Sequence, residues 1–300
     1  MNAAYTDIRG RLQRGEPMNR HTSWRVGGPA DRYFEPADRD DLVRFVRALP
    51  PDEPLTWVGL GSNLLVRDGG IRGTVIALHQ TLDHLSLAAD GRVIAEAGVH
   101  CARLAKFCVK HGLAGSAFFV GIPGTVGGAL AMNAGAHGGE TWSQVIAAEV
   151  LYRNGRITWE PPETFVPGYR SVSLPPGVAG FLGARFAFAA DTHGTGAEEM
   201  RSWIAKRRQT QPVGKPSCGS VFRNPDGDHA ARLIEGAGLK GHRIGGAAVS
   251  ELHANFIINE GQATATDIEQ LIAHVRRTVL DRSGVDLQPE VRVIGEAANG

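Results

Sequence analysis

Residues 121–139 read GIPGTVGGALAMNAGAHGG, and seven of the nineteen are glycine: Gly121, Gly124, Gly127, Gly128, Gly135, Gly138 and Gly139. Inside regular structure glycine costs about 0.5–1 kcal/mol relative to alanine. A folded chain accepts that density where backbone must turn with φ > 0, or where another group must approach the main chain closely. Main-chain N–H groups left bare at a turn or a helix start offer a site for anionic oxygens. A second run, GLGSNLLV at Gly59–Val66, has the same character. Two such loops in one chain point to a ligand that carries a diphosphate.

Outward from these loops the texture is mixed helix and strand. Thr56–Val58 and Thr74–Leu78 read as short buried strands flanking the second loop, whose LLV itself looks like strand. Asp38, with Asp41 three residues on, reads as the N-cap of a helix that brings Leu42, Phe45, Val46 and Leu49 to one face. Near residue 90 the texture changes. Arg92–Ala97 predicts a strand and Cys101–His111 a helix closed by Gly112. Val145–Arg153 and Arg156–Trp159 predict a hairpin about Asn154-Gly155, with another strand at Ala184–Ala190. A helix is expected over Glu198–Gln209, and Pro212 and Pro216 mark the start of a last domain. There the spacing predicts helices at Ala230–Gly236 and Thr266–Arg282 and strands at Ala254–Ile258 and Leu287–Ile294.

Composition narrows the function. The 300 residues carry 32 basic and 31 acidic side chains, a formal net charge of +1. No charge imbalance points to nucleic acid or to an anionic membrane. No apolar run approaches the ~18 residues that span a bilayer, and the N-terminus lacks a signal-like apolar segment. The three cysteines form no CxxC, so a reduced, cytoplasmic setting is expected. The 11 histidines form no HExxH and no metal site is expected. Cys101 and Cys108, seven apart on one helix, read as core, and Cys218 as the one thiol that could meet reagents.

Familiar nucleotide loops do not account for the glycines. A dinucleotide-binding G-x-G-x-x-G fails because Leu64 stands where the third glycine belongs. No Gly-Lys-Ser/Thr occurs, which excludes a Walker A loop.

Six ordered blocks carry a more specific likeness: Asn19–Pro36 (NRHTSWRVGGPADRYFEP), Gly59–Val75 (GLGSNLLVRDGGIRGTV), Gly121–Gly139, Tyr169-Arg170, Ser217–Asn259 with its SCGSVFRNP and LKGHRIGGAAVSELHANFIIN, and Pro289–Gly295 (PEVRVIG). In these the chain resembles the UDP-N-acetylenolpyruvoylglucosamine reductases (the MurB family), in their shorter, type II form. The resemblance implies an α+β fold: a two-subdomain FAD-binding fold of the p-cresol-methylhydroxylase (PCMH/VAO) type plus a C-terminal substrate-binding domain. The expected division is 1–85 and 86–195 for the FAD subdomains, with the FAD domain at about 25–192, and 208–300 for the last domain. It also implies non-covalent FAD, NADPH as co-substrate, and reduction of the enolpyruvyl group of UDP-N-acetylglucosamine enolpyruvate by a monomer. No nucleic-acid partner and no membrane insertion are expected.

The same resemblance assigns Arg170, Ser220 and Glu290 to catalysis, with Ser220 as proton donor to C2. It gives FAD contacts to Gly59, Gly61, Ser62, Asn63 and Leu64 of one loop. In the other they fall on Gly121, Ile122, Pro123, Gly124, Thr125, Gly127, Gly128, Asn133 and Gly135. Tyr169, Arg223 and Asn224 are expected at the substrate. Each residue type suits its task, since an arginine fork matches a carboxylate and hydride addition to a conjugated enol ether needs donors where negative charge develops. Without the resemblance Arg170 reads as a surface ion-pair residue, Ser220 as a turn or cap, and Glu290 as an exposed strand position. Arg208 and Lys215 read equally as added charge at the diphosphate or as a solvated helix end. The family usually carries serine two residues beyond the arginine, where this chain has Val172 between Ser171 and Ser173. Another PCMH/VAO-type oxidoreductase and a flavin-binding protein without turnover are the alternatives.

Overall fold

The computed structural model describes residues 7–298. They form two compact units. The first is assembled from the chain up to Gln13, Arg32–Leu60 and Gly73–Ala205; the second from Arg14–Asp31, Gly61–Arg72 and the chain from Lys206 onward.

In the first unit helix α1 (Arg39–Ala48) starts where the sequence predicts, the Asp38 carboxylate accepting from the Asp41 N–H at 2.9 Å. Leu42, Phe45 and Val46 face a core with Phe34, Ile76, Leu151 and Leu182. Asp41 is fully buried there, and a buried carboxylate is costly unless satisfied. It accepts from the backbone N–H groups of Arg9, Gly10 and Ala37 at 2.8–3.0 Å. Strand Leu55–Val58 runs parallel to Ile71–Ala77, with Leu55 opposite Thr74 and Val58 opposite Ala77.

A five-stranded antiparallel sheet orders Ile157–Glu160, Val145–Tyr152, Val178–Phe186, Val93–Glu96 and Leu85–Leu87. Helix α2 (Cys101–Lys110) buries Cys101, Leu104, Ala105 and Cys108 against it. The short helix α3 (Val126–Met132) lies inside the glycine-rich run, and Met200, Trp203 and Ile204 of α4 (Gly196–Thr210) pack on the same core.

The strand expected at Ala184–Ala190 is Val178–Phe186 instead. Both its faces are buried, Leu182 in the core with Phe34, and Phe181, Ala184 and Phe186 in the core with α2, so its residues do not alternate between apolar and polar. Gly183 lets it lie close to its neighbour: a Cβ there would come within 2.7 Å of the Ala95 carbonyl oxygen.

The second unit collects Trp24, Val26 and Leu65 into one core with Phe222, Ile234, Ile268, Leu271, Val275 and Val279. It holds helix α5 (Ala230–Gly236) and helix α6 (Ala265–Ser283), the latter opened by a capping box between Thr264 and Asp267 and closed by Gly284 at φ +72°. Strands Arg243–Ile244, Ala247–Val249 and Ile257–Asn259 form a small antiparallel sheet, so the strand expected at Ala254–Ile258 lies further along. The expected strand Leu287–Ile294 narrows to Arg292–Ile294, which pairs in parallel with Leu64–Val66. Among the described residues no helix is long and apolar enough to cross a membrane.

Candidate active site

In the first unit the two glycine loops meet. Thr125 N-caps α3, its hydroxyl oxygen lying 3.4 Å from the Gly128 N–H. Gly59, in the turn after Leu55–Val58, backs onto that same threonine, and a Cβ on Gly59 would lie 2.5 Å from the Thr125 hydroxyl. Gly127 is closed in the same way by Ala97. Gly128 differs, because the nearest atom to a Cβ there would be the Thr125 hydroxyl at 3.8 Å. One side of the turn is therefore sealed by protein and the other is bare backbone. Ile122 is buried and Pro123 exposed, while the Gly124 carbonyl accepts from the N–H of Cys101 at the start of α2 (2.9 Å).

Beyond α3 the chain turns at Asn133, in the left-handed region at φ +39°. Its side chain is 5% exposed and fully engaged: the amide nitrogen lies 3.1 Å from a Glu140 carboxylate oxygen and 3.3 Å from the Gly168 carbonyl, and the amide oxygen accepts from the Trp142 N–H at 3.1 Å. What Asn133 can present to a cofactor is backbone. His137 stacks flat on Trp203, ring centroids 4.3 Å apart, and its ring also packs against Gly121.

Gly168 opens a hairpin, Val166–Gly168 with Ser171–Ser173, whose two-residue tip is Tyr169-Arg170. Arg170 adopts φ +53°, a position that turns usually give to glycine or asparagine. Its guanidinium donates to the Gly135 carbonyl at 3.3 Å and lies 5.2 Å from the Tyr169 ring. Val172 packs on the core.

The second unit brings together Ser220, Glu290 and the remainder of the GLGSNLLV loop. Segment Val221–Arg223 lies along Gln288–Glu290: the Glu290 N–H donates to the Val221 carbonyl at 2.7 Å, and the Arg223 N–H to the Gln288 carbonyl at 2.9 Å. The Asn63 side-chain amide lies 3.4 Å from the Glu290 carbonyl, and the Arg292 N–H donates to the Asn63 carbonyl at 3.0 Å. Leu64 then enters the strand that pairs with Arg292, and Ser62 is half-buried beside it. Gly61, at φ +59°, is pressed against the backbone of His21 and Thr22, a place no side chain fits. Ser220 and Glu290 are both half-buried. Asn224 is exposed, and its amide oxygen accepts from the Ala230 N–H at the start of α5 (3.1 Å). Arg170 belongs to the first unit and Ser220 and Glu290 to the second.

The expectation for Cys218 is corrected. It is 4% exposed, its sulfur 3.6 Å from the Gly61 carbonyl and 3.5 Å from that of Leu64, and burial pushes its thiol up to about 12. A thiol that stays protonated and covered does not meet reagents. Cys101 and Cys108 are core as expected, likewise pushed up to about 12 by burial. One residue escaped the sequence reading: Asn255, buried at 3% exposure, bonds both backbone groups of Phe222. Only the pairing of segments distant in sequence exposes it.

A family profile for the UDP-N-acetylenolpyruvoylglucosamine reductase C-terminal domain matches residues 211–294, and one for an FAD binding domain matches residues 30–160. The UDP-N-acetylenolpyruvoylglucosamine reductase of Methylococcus capsulatus is 56% identical over 96% of this chain and 95% of its own length. The chain belongs to the UDP-N-acetylenolpyruvoylglucosamine reductase family. The reductase of Alkalilimnicola ehrlichii is 57% identical over 96% of each chain. The crystal structure of the Thermus caldophilus reductase matches with a TM-score of 0.80 at 32% identity, over 95% of this chain and 99% of that one.

As a member of this reductase family the chain is an FAD-dependent oxidoreductase, with an α+β architecture that joins an FAD-binding domain to the reductase C-terminal domain. The first unit's residues fit the cofactor. A Cβ on Gly128 would meet nothing nearer than 3.8 Å, so a ligand can approach the backbone on that face while Gly59 and Gly127 close the opposite side. The N–H groups of Val126, Gly127 and Gly128 are bonded to the Val99 and Ala97 carbonyls and the Thr125 hydroxyl.

Proposed function

We propose that the chain reduces the enolpyruvyl group of UDP-N-acetylglucosamine enolpyruvate to UDP-N-acetylmuramate, with NADPH as reductant. The setting is peptidoglycan precursor synthesis in the cytoplasm, and the working form a monomer. FAD, when bound, would supply the hydride chemistry between NADPH and C3 of the enolpyruvyl group. The turn from Gly121 to Gly128, with Gly59, Gly61, Ser62, Asn63, Leu64, Asn133 and Gly135, binds it.

Hydride addition at C3 drives negative charge toward the substrate carboxylate. Arg170 meets that charge with a planar fork of donors. Ser220 hands its hydroxyl proton to C2, and Glu290 orients the intermediate and relays the proton. Tyr169, Arg223 and Asn224 bind the substrate, the last two at its UDP diphosphate. The observation that carries this reading is the 56% identity, over nearly the whole of both chains, to the Methylococcus capsulatus reductase. The bond from the Glu290 N–H to the Val221 carbonyl (2.7 Å) supports pairing Glu290 with Ser220.

An anaerobic experiment tests it. NADPH should bleach the yellow protein, and the enolpyruvyl substrate should restore the colour. In Ser220→Ala bleaching survives, and re-oxidation by substrate falls on the order of 10²–10⁴-fold. Equal slowing of both steps removes Ser220 as proton donor. A protein that bleaches yet never regains colour with this substrate overturns the substrate assignment.

A further inference from the structure

The backbone of Val221–Arg223 is bonded at five places, and three of them lead to Asn255. The Val221 N–H donates to the Asn255 carbonyl at 2.9 Å. The Phe222 N–H donates to the Asn255 amide oxygen at 2.9 Å, and the Asn255 amide nitrogen donates to the Phe222 carbonyl at 2.8 Å. The other two are the bonds from the Glu290 and Arg223 N–H groups described above. One edge of the segment is thus held by Gln288–Glu290 and the other by a single residue, whose carboxamide pairs with Phe222 as a neighbouring strand would and whose carbonyl takes the Val221 N–H. Phe222 and Asn255 are 2% and 3% exposed, so water does not replace these bonds.

We infer that Asn255 is the positioning residue for proton delivery: its carboxamide fixes the backbone of Phe222 and so the placement of Ser220, and through the Val221 carbonyl that of Glu290. This rests on the roles given to Ser220 and Glu290 above. The chemistry of the side chain is specific. A carboxamide offers one acceptor and one donor at the spacing of a residue's own N–H and C=O. Aspartate keeps the acceptor and loses the donor; glutamine keeps both but sets them one methylene further out. Buried backbone groups that lose their partners do not stay in place, because an unpartnered polar group in the interior is costly. The segment then shifts to find new partners. A displacement of about 1 Å at reacting groups is enough to cost on the order of 10² in rate.

The test uses the flavin-loaded enzyme and its two half-reactions. In Asn255→Gln, bleaching by NADPH should keep its rate while re-oxidation by the enolpyruvyl substrate slows on the order of 10²-fold. Asn255→Asp should show a loss in the same step. A general weakening of the fold would slow re-oxidation by the same factor whether or not Ser220 is present. The positioning role instead predicts that Asn255→Gln costs clearly less on a Ser220→Ala background than in the unaltered enzyme, the remainder being the share that acts through Glu290. Equal losses on both backgrounds, wild-type re-oxidation in both Asn255 variants, or parallel slowing of both half-reactions overturns the inference. If Ser220→Ala alone re-oxidises normally, the Ser220 assignment itself falls and this inference with it, a pattern distinct from the others. In the unaltered enzyme the Phe222 amide should be among the slowest to exchange with solvent across residues 217–226. Rapid exchange there overturns the grip without recourse to any variant.

Discussion

Arg170 and the Ser220–Glu290 pair are presented by opposite means. Arg170 stands at the tip of a hairpin with three residues on each side, next to a half-exposed Tyr169 (51%), in a backbone conformation its own side chain disfavours. The bonds that tie that tip down include long ones, from Asn133 to the Gly168 carbonyl and from Arg170 to the Gly135 carbonyl, both 3.3 Å, and from the Ser171 hydroxyl to the Tyr169 carbonyl at 3.5 Å. Ser220 and Glu290 instead flank a buried ladder whose bonds are all 2.7–2.9 Å. In the roles proposed above, a cation that follows a substrate's carboxylate can sit on a light, adjustable carrier. A proton donor that must meet one carbon from one side cannot. The contrast teaches that removing a group from the hairpin should cost function alone, whereas disturbing the ladder or its supports should cost stability as well.

The most direct attempt to break the contrast is Arg170→Gly. Re-oxidation by substrate should fall on the order of 10²–10³-fold, the usual cost of losing one preorganised donor. The melting temperature should hold or rise, since glycine relieves a left-handed conformation worth about 1–2 kcal/mol for other residues. Marked destabilisation in a thermal melt would show that the hairpin is not the light carrier described.

A second, smaller test lies in the other unit. Gly61→Ala places a methyl group against the His21 and Thr22 backbone and at φ +59° as well. Strain of this kind costs about 1–3 kcal/mol, so the denaturation midpoint should drop clearly. An alanine variant as stable as its parent would mean that the loop is not clamped.

The third is a matter of pH. Burial raises the three thiols from the ordinary 9.0 to about 12, so the folded chain keeps their protons while the unfolded chain sheds them. The stability this contributes is complete below pH 9 and is lost as pH rises toward 12. Each thiol adds a slope of at most about 1.4 kcal/mol per pH unit across that window. Cys218→Ala should shallow the alkaline decline, read as unfolding free energy against pH. Were the decline unchanged, the Cys218 thiol would be open to solvent.

Much of this architecture could be read from the residues because the determinants are local. Asp38 and Asp41, Thr264 and Asp267, and the apolar stripes behind them announce α1 and α6 within a few positions. The glycine-rich run announces a turn because glycine has few other reasons to cluster. The illegible parts depend on distant partners. Val178–Phe186 has no alternation because both its faces are buried, Leu182 in the core with Phe34, and Phe181, Ala184 and Phe186 in the core with α2. GLGSNLLV reads as one loop, yet Gly59-Leu60 falls in one unit and Gly61 onward in the other. Tyr169-Arg170 is named only by likeness, since nothing in Pro-Gly-Tyr-Arg-Ser specifies a left-handed arginine. Asn255 looks like any asparagine until Phe222 arrives beside it.

The parallel pairing of Leu64–Val66 with Arg292–Ile294 sets a schedule for biosynthesis. More than two hundred residues separate the partners. At ~5–20 residues per second, the earlier strand leaves the ribosome on the order of ten seconds or more before its mate exists. Throughout that interval Trp24, Val26 and Leu65 lack the helices that will cover them. The nascent polypeptide must therefore carry an uncovered greasy patch until α5 and α6 have been made.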